Sequence, residues 1–356
     1  MRFQALPLML GAMLTSESSA SGTIGTWIPS SYASSSLNEV FDTVLSLHNE
    51  GVNRIYVDVW NNGHAYFASQ TLSDYAGPGA LGDDRLAWYS DAVQALNARD
   101  DSGSPMELHA WFEYGLMACY GSSTEGNAFA SAAEDSGWIL GASGGWMWMD
   151  PSSGATDLLA EMLKEALSYP AVSGVQLDDH FACPVSLACD VSAMDRAART
   201  VVTQAEKVSL APAPLTFALD NYNVNWTQWV EQSYFEEYTP QLYTASAVDF
   251  NASLTETLAA LPPSTTILAG IRVDGSGSPT SWNSTTLMLD AADHSGVAPV
   301  IWYAHGILDL YPTEFQERWA GPTAGDGHRA LSGHFKVACK QIARNQKKCY
   351  YKHPDH

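Results

Sequence analysis

The chain has 356 residues, a length that suits one large α/β barrel. Hydrophobic residues make up 46% and charged residues only 16%, which excludes a disordered chain. Seventeen Lys and Arg stand against 39 Asp and Glu, a net charge of −22. Such a charge argues against nucleic acid and anionic membrane surfaces as partners, because the field of the protein repels both. No apolar run reaches the roughly 18 residues that a membrane span needs.

The first 20 residues are typical of a secretory signal peptide. Arg2 is basic, residues 5–14 are apolar, and small residues precede an expected cleavage after Ala20. Three glycosylation sequons are consistent with export from a eukaryotic cell, and they begin at Asn225, Asn251 and Asn283. We therefore expect a secreted, extracellular and N-glycosylated protein.

Five cysteines allow two disulfides in an oxidising compartment. Cys339 with Cys349 would close the C-terminal tail. Cys183 with either Cys189 or Cys119 would fix loops of the main domain. No C-x-x-C spacing occurs, so the cysteines do not indicate a zinc site.

Eight short runs rich in β-branched and aromatic residues alternate with stretches of helical spacing. The first helix begins with the capping box Ser36 to Glu39 and ends at Gly51. The alternation predicts a single-domain (β/α)8 TIM barrel. An open doubly wound sheet would usually carry a Gly-rich loop after the first strand, and none is present. The predicted strands are 23–29, 54–60, 107–114, 174–179, 215–220, 238–244, 266–273 and 299–304.

The domain prediction is a signal peptide at 1–20, the barrel at 21–325 and a basic, Cys-containing tail at 326–356. The tail carries seven basic and two acidic residues. We favour a solvated helix for it over docking on the acidic body or on an acidic polymer. The long insertion at 115–154, which follows the third strand, is expected to lie over the barrel mouth as a lid or subsite wall.

The fourth predicted strand supplies the main catalytic candidate. Side chains alternate along a strand, so Gln176 and Asp178 are expected to point into the barrel, with Asp178 at its mouth. Asp179 begins the following loop and faces the other way. A simple capping role for Asp178 is the alternative, but a buried Gln beneath an Asp needs polar partners that packing does not supply.

The third predicted strand brings a second acid to the same rim. His109, Trp111 and Glu113 share one face by alternation, with Glu113 at the C-terminal end. Strands three and four are neighbours about 4.8 Å apart, so Glu113 and Asp178 can approach one ligand. Further polar candidates near strand ends are Asp220, Gln241, Asp274 and His305.

Paired carboxylates beside aromatic rings suit glycoside hydrolysis. One carboxyl protonates the leaving oxygen, the other attacks the anomeric carbon or activates water, and ring faces stack on sugars. We predict Asp178, Glu113 and Asp179 as catalytic residues. Expected sugar-binding residues are Trp60, His109, Trp111, Asp220, Gln241, Tyr243, Asp274, Trp302 and His305.

Five segments, taken in chain order, resemble the glycosyl-hydrolase-like 10 domain family, TIM-barrel glycosidases related to bacterial peptidoglycan glycosidases. The resemblance implies a barrel glycosidase whose fourth strand carries a catalytic Asp, here Asp178 or Asp179. The chain departs from the family pattern at Glu113, Ser173 and His180. The matching segments are 51–57 (GVNRIYV), 109–112 (HAWF), 148–151 (WMDP), 174–181 (GVQLDDHF) and 239–243 (TPQLY).

Two other functions compete with a glycosidase. A catalytically silent carbohydrate-binding barrel would use the same rings and acids. A metal hydrolase could use His109, Asp178 and His180, although their spacing matches no known ligand set. We expect a glycan substrate, a monomer, no cofactor and no metal.

Overall fold

A computed structural model describes residues 22–32, 36–99, 105–275 and 277–319, and the strands 336–342 and 346–352. The predicted signal peptide lies outside the described residues. The strands are β1 (Gly25–Ile28), β2 (Arg54–Asp58), β3 (Trp60–Asn61), β4 (His64–Ala65), β5 (Glu107–Phe112), β6 (Met117–Tyr120), β7 (Ile139–Ser143), β8 (Trp146–Met149), β9 (Val172–Asp178), β10 (Val208–Ala211), β11 (Leu268–Arg272), β12 (Ala298–Trp302), β13 (Lys336–Ile342) and β14 (Gln346–Lys352).

The helices match the predicted apolar spacing. Ser36 caps the first helix and Gly51 follows it with φ 89°, as the capping signals predict. The α-helices are α1 (Leu37–Asn49), α2 (Gln70–Ala76), α3 (Arg85–Asn97), α4 (Ala128–Asp135), α5 (Ala155–Leu167), α6 (Val191–Gln204), α7 (Leu215–Tyr222), α8 (Trp226–Glu231), α9 (Ala247–Ala260), α10 (Trp282–His294) and α11 (Pro312–Trp319). Within the described part of the chain, no helix is long and apolar enough to cross a bilayer.

Seven parallel strands form a curled sheet in the order β10-β9-β5-β2-β1-β12-β11. The segment around Tyr238 and Gln241, which is the sixth predicted strand in chain order, completes the barrel as its eighth member. We call it the sixth position. Tyr238 bridges to Leu210 on one side and to Ile267 on the other, and Gln241 bridges to Gly270. These bridges join the two edges, so the TIM-barrel prediction is confirmed. The sixth position is not a regular strand because Pro240 has no N–H to donate.

The fifth predicted strand was wrong. Residues 215–220 lie in helix α7, and the barrel strand is the four-residue β10 just before it. The β-branched and aromatic residues of 215–220 favoured a strand, but Pro212 and Pro214 end β10 and start the helix. Asp220 is therefore exposed on a helix and not at a strand end.

The barrel has two apolar layers. Val175 and Leu177 face outward into the core between the sheet and the helices. A second cluster fills the barrel interior and includes Trp27, Tyr56 and Trp111. This arrangement confirms the predicted alternation along β9, because Gln176 lies on the inner face, fully buried.

The insertion at 115–154 is a folded unit. Its three strands pair antiparallel in the order β6-β8-β7, with α4 between β6 and β7. It is tied to the end of β9, since Leu116 N donates to His180 O at 2.9 Å. The insertion thus flanks the mouth of the barrel, next to the predicted catalytic strand.

Two cysteine predictions can be compared with the structure. Cys183 and Cys189 form a disulfide, and Cys119 is a free, buried cysteine. In the tail, β13 and β14 form an antiparallel hairpin whose register pairs Cys339 with Cys349. The expected tail helix was therefore wrong, because these residues pair as strands.

Gly115 offers a test of how closely the insertion approaches strand β9. Its φ is +47°, and a Cβ atom there would lie 2.5 Å from the Phe181 backbone N. Gly115→Ala should lower the free energy of unfolding by roughly 3 kcal/mol or more, from strain plus a backbone clash. Chemical denaturation measures the loss.

Gly137→Ala is the matched control. Gly137 also has a positive φ, +71°, but its added Cβ would meet nothing within 4 Å. It should lose only about 1 kcal/mol, from strain alone. Equal losses for the two variants would contradict the proposed close approach.

Candidate active site

The carboxyl ends of the parallel strands gather acids at one rim. Asp58 and Asp178 end β2 and β9, and Glu113 directly follows β5. These three strands are neighbours in the order β9-β5-β2. Their alternating side chains therefore bring three carboxyls to one end of the barrel, where this fold places its chemistry.

Asp178 lies deep at this rim, with 5% of its surface exposed. Gln241 Nε2 donates to its Oδ1 and also to the Ala211 carbonyl oxygen, which orients the amide. Burial raises the pKa of Asp178 well above its usual range, and the charges of Asp179 and Glu113 raise it further. Asp178 is thus a buried acid with acidic neighbours, as a catalytic carboxyl requires.

Gln176 supports the layer beneath Asp178. Its Oε1 accepts from Trp27 Nε1 at 2.7 Å, and its Nε2 donates to Thr239 Oγ1 at 3.5 Å. These bonds satisfy the buried amide that the sequence placed inside the barrel. They also anchor β9 immediately below its terminal acid.

Glu113 and Asp58 share a hydrogen-bond donor. Asn61 Nδ2 donates to Glu113 Oε2 at 2.6 Å and to Asp58 Oδ2 at 3.0 Å. Ser30 N also donates to Asp58 Oδ2, at 3.2 Å. Burial raises the pKa of Glu113, and the charge of Asp179 adds to this effect.

His180 links the ends of β5 and β9. Its Nδ1 donates to the Glu113 carbonyl oxygen at 3.0 Å and lies 3.8 Å from Asp178 Oδ2 and 3.6 Å from Asp179 Oδ1. The rings of Trp146 and Trp148, from the insertion, lie 6.0 and 6.2 Å from the His180 ring. The insertion therefore forms a wall beside the acids.

Among the described residues, Asp178, Asp179 and His180 also have ligand atoms close enough together to bind a cation. Each offers one ligand atom, and these atoms lie within 4.8 Å of one another. A metal bound through Nδ1 of His180 would displace its bond to the Glu113 carbonyl. The arrangement suits acid–base work without such a rearrangement.

Two of the predicted aromatic platforms stack at the rim. The rings of Tyr243 and Trp302 are 4.0 Å apart and 12° from parallel. Both are partly exposed. Trp111 lies in the inner cluster with Trp27, 6.4 Å between ring centroids, and is 3% exposed. Tyr243 and Trp302 thus present ring surface, whereas Trp111 lies beneath the rim.

Trp60 is not at the rim, contrary to expectation. It lies in the short hairpin of β3 and β4, is 1% exposed, and packs edge-on against Phe129. Its Nε1 donates to the Gly115 carbonyl oxygen at 3.3 Å. The indole supports the insertion because β2 ends at Asp58 and the chain turns away before Trp60.

His109 faces inward as predicted but at the wrong depth. It pairs in register with Gly174, four residues before Asp178, so about 13 Å of strand separates the two levels. Its Nε2 lies 3.8 Å from Glu107, in a polar network with Arg54 and Glu237 at the opposite end of the barrel. The structure does not bring His109 to the acids.

Asp274 and His305 form a pair of their own after β11 and β12. His305 Nδ1 is hydrogen-bonded to Asp274 Oδ2, and its Nε2 lies 3.7 Å from Asp309. Tyr32 packs edge-on against the imidazole at 6.1 Å. Both groups are at strand ends, as predicted, beside the Trp302 backbone.

Two residues of the cluster were missing from the predicted site. Asp58 ends β2, but of the two residues near that strand end only Trp60 was predicted to belong to the site. Tyr303 follows β12, and the charges of Glu113, Asp178 and Asp58 raise its pKa, after burial as the largest cause. Its proximity to these acids depends on barrel closure, which no local pattern reveals.

Fold and site together define a TIM barrel with an acid-rich, aromatic-lined mouth. The family model described as Glycosyl hydrolase-like 10 matches residues 25–201. The resemblance inferred from the strand motifs is thus confirmed over this segment of the chain. It includes strands β1 to β9, with Asp58, Glu113 and Asp178.

Solved structures share the fold at low sequence identity. The PgaB (BpsB) glycoside hydrolase domain from Bordetella bronchiseptica matches with TM-score 0.55 and 8% identity, over 82% of this chain and 96% of that one. An alpha-L-fucosidase described as putative, from Bacteroides thetaiotaomicron, matches with TM-score 0.51 and 11% identity, over 87% of this chain and 94% of that one. An endo-1,4-beta-D-mannanase from Thermotoga petrophila matches with TM-score 0.50 and 12% identity, over 79% of this chain and 87% of that one. No curated protein matches by sequence.

The raised pKa of Asp178 predicts a pH-dependent stability. A carboxyl whose pKa is raised by folding stabilises the fold at low pH, and this contribution is lost as the pH rises through the folded-state pKa. Asp178→Asn removes that titration. The free energy of unfolding of the variant, relative to that of the wild type, should rise by on the order of 1–3 kcal/mol from pH 4 to pH 8, as measured by urea unfolding.

Asp42→Asn is the control, because Asp42 is exposed on α1 and its replacement removes one charge outside the site. Its stability difference should change little with pH. A constant difference for Asp178→Asn across this range would show that Asp178 ionises freely in the folded protein.

Proposed function

We propose that the protein is a secreted glycoside hydrolase that cleaves a polysaccharide or glycoconjugate. Asp178 acts as nucleophile or general base, and Glu113 acts as proton donor. One observation carries the proposal: both carboxyls stand at the C-terminal ends of neighbouring strands, buried among further acids. Glycosidases need such a carboxyl pair on either side of the scissile bond.

The environments of the two acids support different roles. Gln241 donates to Asp178 and to the Ala211 carbonyl oxygen, so the Asp178 carboxyl is held in one orientation, as a nucleophile or base requires. Glu113 is more exposed than Asp178 and its pKa is raised by burial, which favours the protonated form that a donor must be. Asp179, 3.6 Å from His180, orients the imidazole between them.

The stacked pair Tyr243 and Trp302 supports a sugar-binding role. Aromatic faces pack against the apolar faces of sugar rings, and the exposed ring surface lies at the same rim as the acids. Asp274 and His305, which follow β11 and β12, supply hydrogen-bond partners for hydroxyls. A glycan bound to these groups would lie across the C-terminal end of the barrel.

The roles of the two acids can be separated by leaving group. Hydrolysis of a glycan in a polysaccharide panel should fall by roughly a thousandfold or more in Asp178→Asn. Glu113→Gln should lose as much on the glycan but retain much of its rate on the matching dinitrophenyl glycoside, since that leaving group needs no proton. Product analysis of each variant gives the rates.

Asp220→Asn is the control variant, because Asp220 is exposed on α7 and should leave both rates unchanged. The opposite leaving-group pattern would exchange the roles of Asp178 and Glu113. A wild type that binds a glycan of the panel without hydrolysing it would establish the carbohydrate-binding alternative. Loss of activity with a chelator would favour a metal hydrolase.

Secretion and glycosylation have a separate test. Asn251 and Asn283 are exposed on α9 and α10, and Asn225 is partly exposed before α8. Expression in a eukaryotic secretory host should release protein into the medium whose mass falls on treatment with an N-glycanase. Retention in the cytosol without glycans would contradict the proposal.

A further inference from the structure

The carboxyls of Asp58 and Glu113 lie against each other and share one side-chain donor. Asn61 Nδ2 donates to one oxygen of each, at 3.0 and 2.6 Å, so a single amide nitrogen holds the two side chains together. Asp58 is 1% exposed, and its Oδ1 is buried without any donor among the described residues. A buried carboxylate oxygen without a donor is costly unless a proton occupies the contact.

We infer that Asp58 and Glu113 share one proton through a carboxyl–carboxyl hydrogen bond, which makes Asp58 the positioning residue of the proton donor. This inference rests on the proposed function for its catalytic meaning, but the shared proton is a property of the folded protein alone. Two carboxyls in contact cannot both ionise without strong repulsion.

The surroundings of the pair favour retention of that proton. Burial is the largest cause that raises the pKa of both acids, and the charge of Glu113 raises the pKa of Asp58 further. Ser30 N donates to Asp58, and His180 offsets part of the negative charge near Glu113. The other titratable groups that face the pair are Tyr66, Tyr114, Asp178, Asp179, Tyr243 and Tyr303.

The proton balance of the reaction follows. In the resting site the proton lies on Asp58, in its bond to Glu113. As the glycosidic C–O bond breaks, the proton passes from Asp58 to Glu113, and Glu113 gives it to the leaving oxygen. Both carboxyls are then ionised, and Glu113 takes a proton from the attacking water, which restores the pair with its single proton.

A mutant cycle counts the shared proton without a substrate. The pH dependence of the free energy of unfolding gives the number of protons taken up on folding. Between pH 5 and 8, Asp58→Asn and Glu113→Gln should each take up about one proton fewer than the wild type. The double variant should also take up about one proton fewer than the wild type on folding, and not two fewer, because the pair holds only one proton.

Glu165→Gln is the matched control. Glu165 accepts hydrogen bonds from Ser69 Oγ at 2.5 Å and Thr71 N at 2.9 Å, away from the strand ends. Its replacement should leave the single proton of the Asp58–Glu113 pair in place. Either single variant tests the count if the other fails to fold.

Activity adds a second readout once a glycan is found in the panel. Asp58→Asn removes the negative charge that can develop beside Glu113, so Glu113 should lose its proton at lower pH. The alkaline limb of the kcat/KM profile of this variant should therefore move to lower pH by roughly one pH unit or more. The limb of Glu165→Gln should not move.

The outcomes separate the inference from the proposed function. Additive proton losses in the cycle, or no loss in either single variant, would overturn the shared proton even if the protein hydrolyses glycans. A single shared proton in a protein that hydrolyses nothing would uphold the pair and refute the glycosidase.

Discussion

The crowding of carboxyls in a poorly hydrated space is the constraint on which the site depends. Asp58, Glu113, Asp178 and Asp179 lie at the ends of neighbouring strands, and burial raises the pKa of the first three. Charges in such a space interact far more strongly than in water. Among the described residues, the side-chain hydrogen bonds to these carboxyls come chiefly from the neutral amides of Asn61 and Gln241. Neutral donors offset little of the negative charge, which favours the protonated carboxyl that acid catalysis near neutral pH requires.

The rest of the barrel holds this cluster in place. Gln176 ties β9 to Trp27 of β1 and Thr239 of the sixth position, so the inner face of the barrel is bonded across its width. At the opposite end Arg54 bridges Glu107 and Glu237 at 2.6 and 2.8 Å, which compensates charge where no chemistry is proposed. One end of the barrel thus holds an arginine between its acids, whereas the acids at the other end accept hydrogen bonds chiefly from neutral amides.

The sequence predicted what depends on local periodicity. Alternation placed Gln176 and Asp178 inward, and the capping signals located α1, because these patterns report local geometry. The strand at 215–220 was wrong because apolar β-branched runs also occur in helices, and two prolines decided the outcome. His109 was predicted on the correct face of its strand but too close to the rim, because periodicity indicates which face a side chain occupies and not its distance from the mouth of the barrel. Asp58 was not among the predicted site residues, because its contact with Glu113 joins positions 55 residues apart in the sequence.

Trp60 shows how a residue type can mislead. A Trp near a strand end suggested a sugar platform, yet its indole packs against Phe129 and holds the carbonyl of Gly115. Gly115 in turn lies against the backbone of His180 and Phe181. The root of the insertion is therefore fixed from two sides, while its tip at Gly144 and Gly145 is exposed to solvent. Segments of other lengths or sequences can be exchanged at this tip with the acids left undisturbed, so the ligand preference of the mouth can evolve, or be redesigned, independently of the carboxyl cluster.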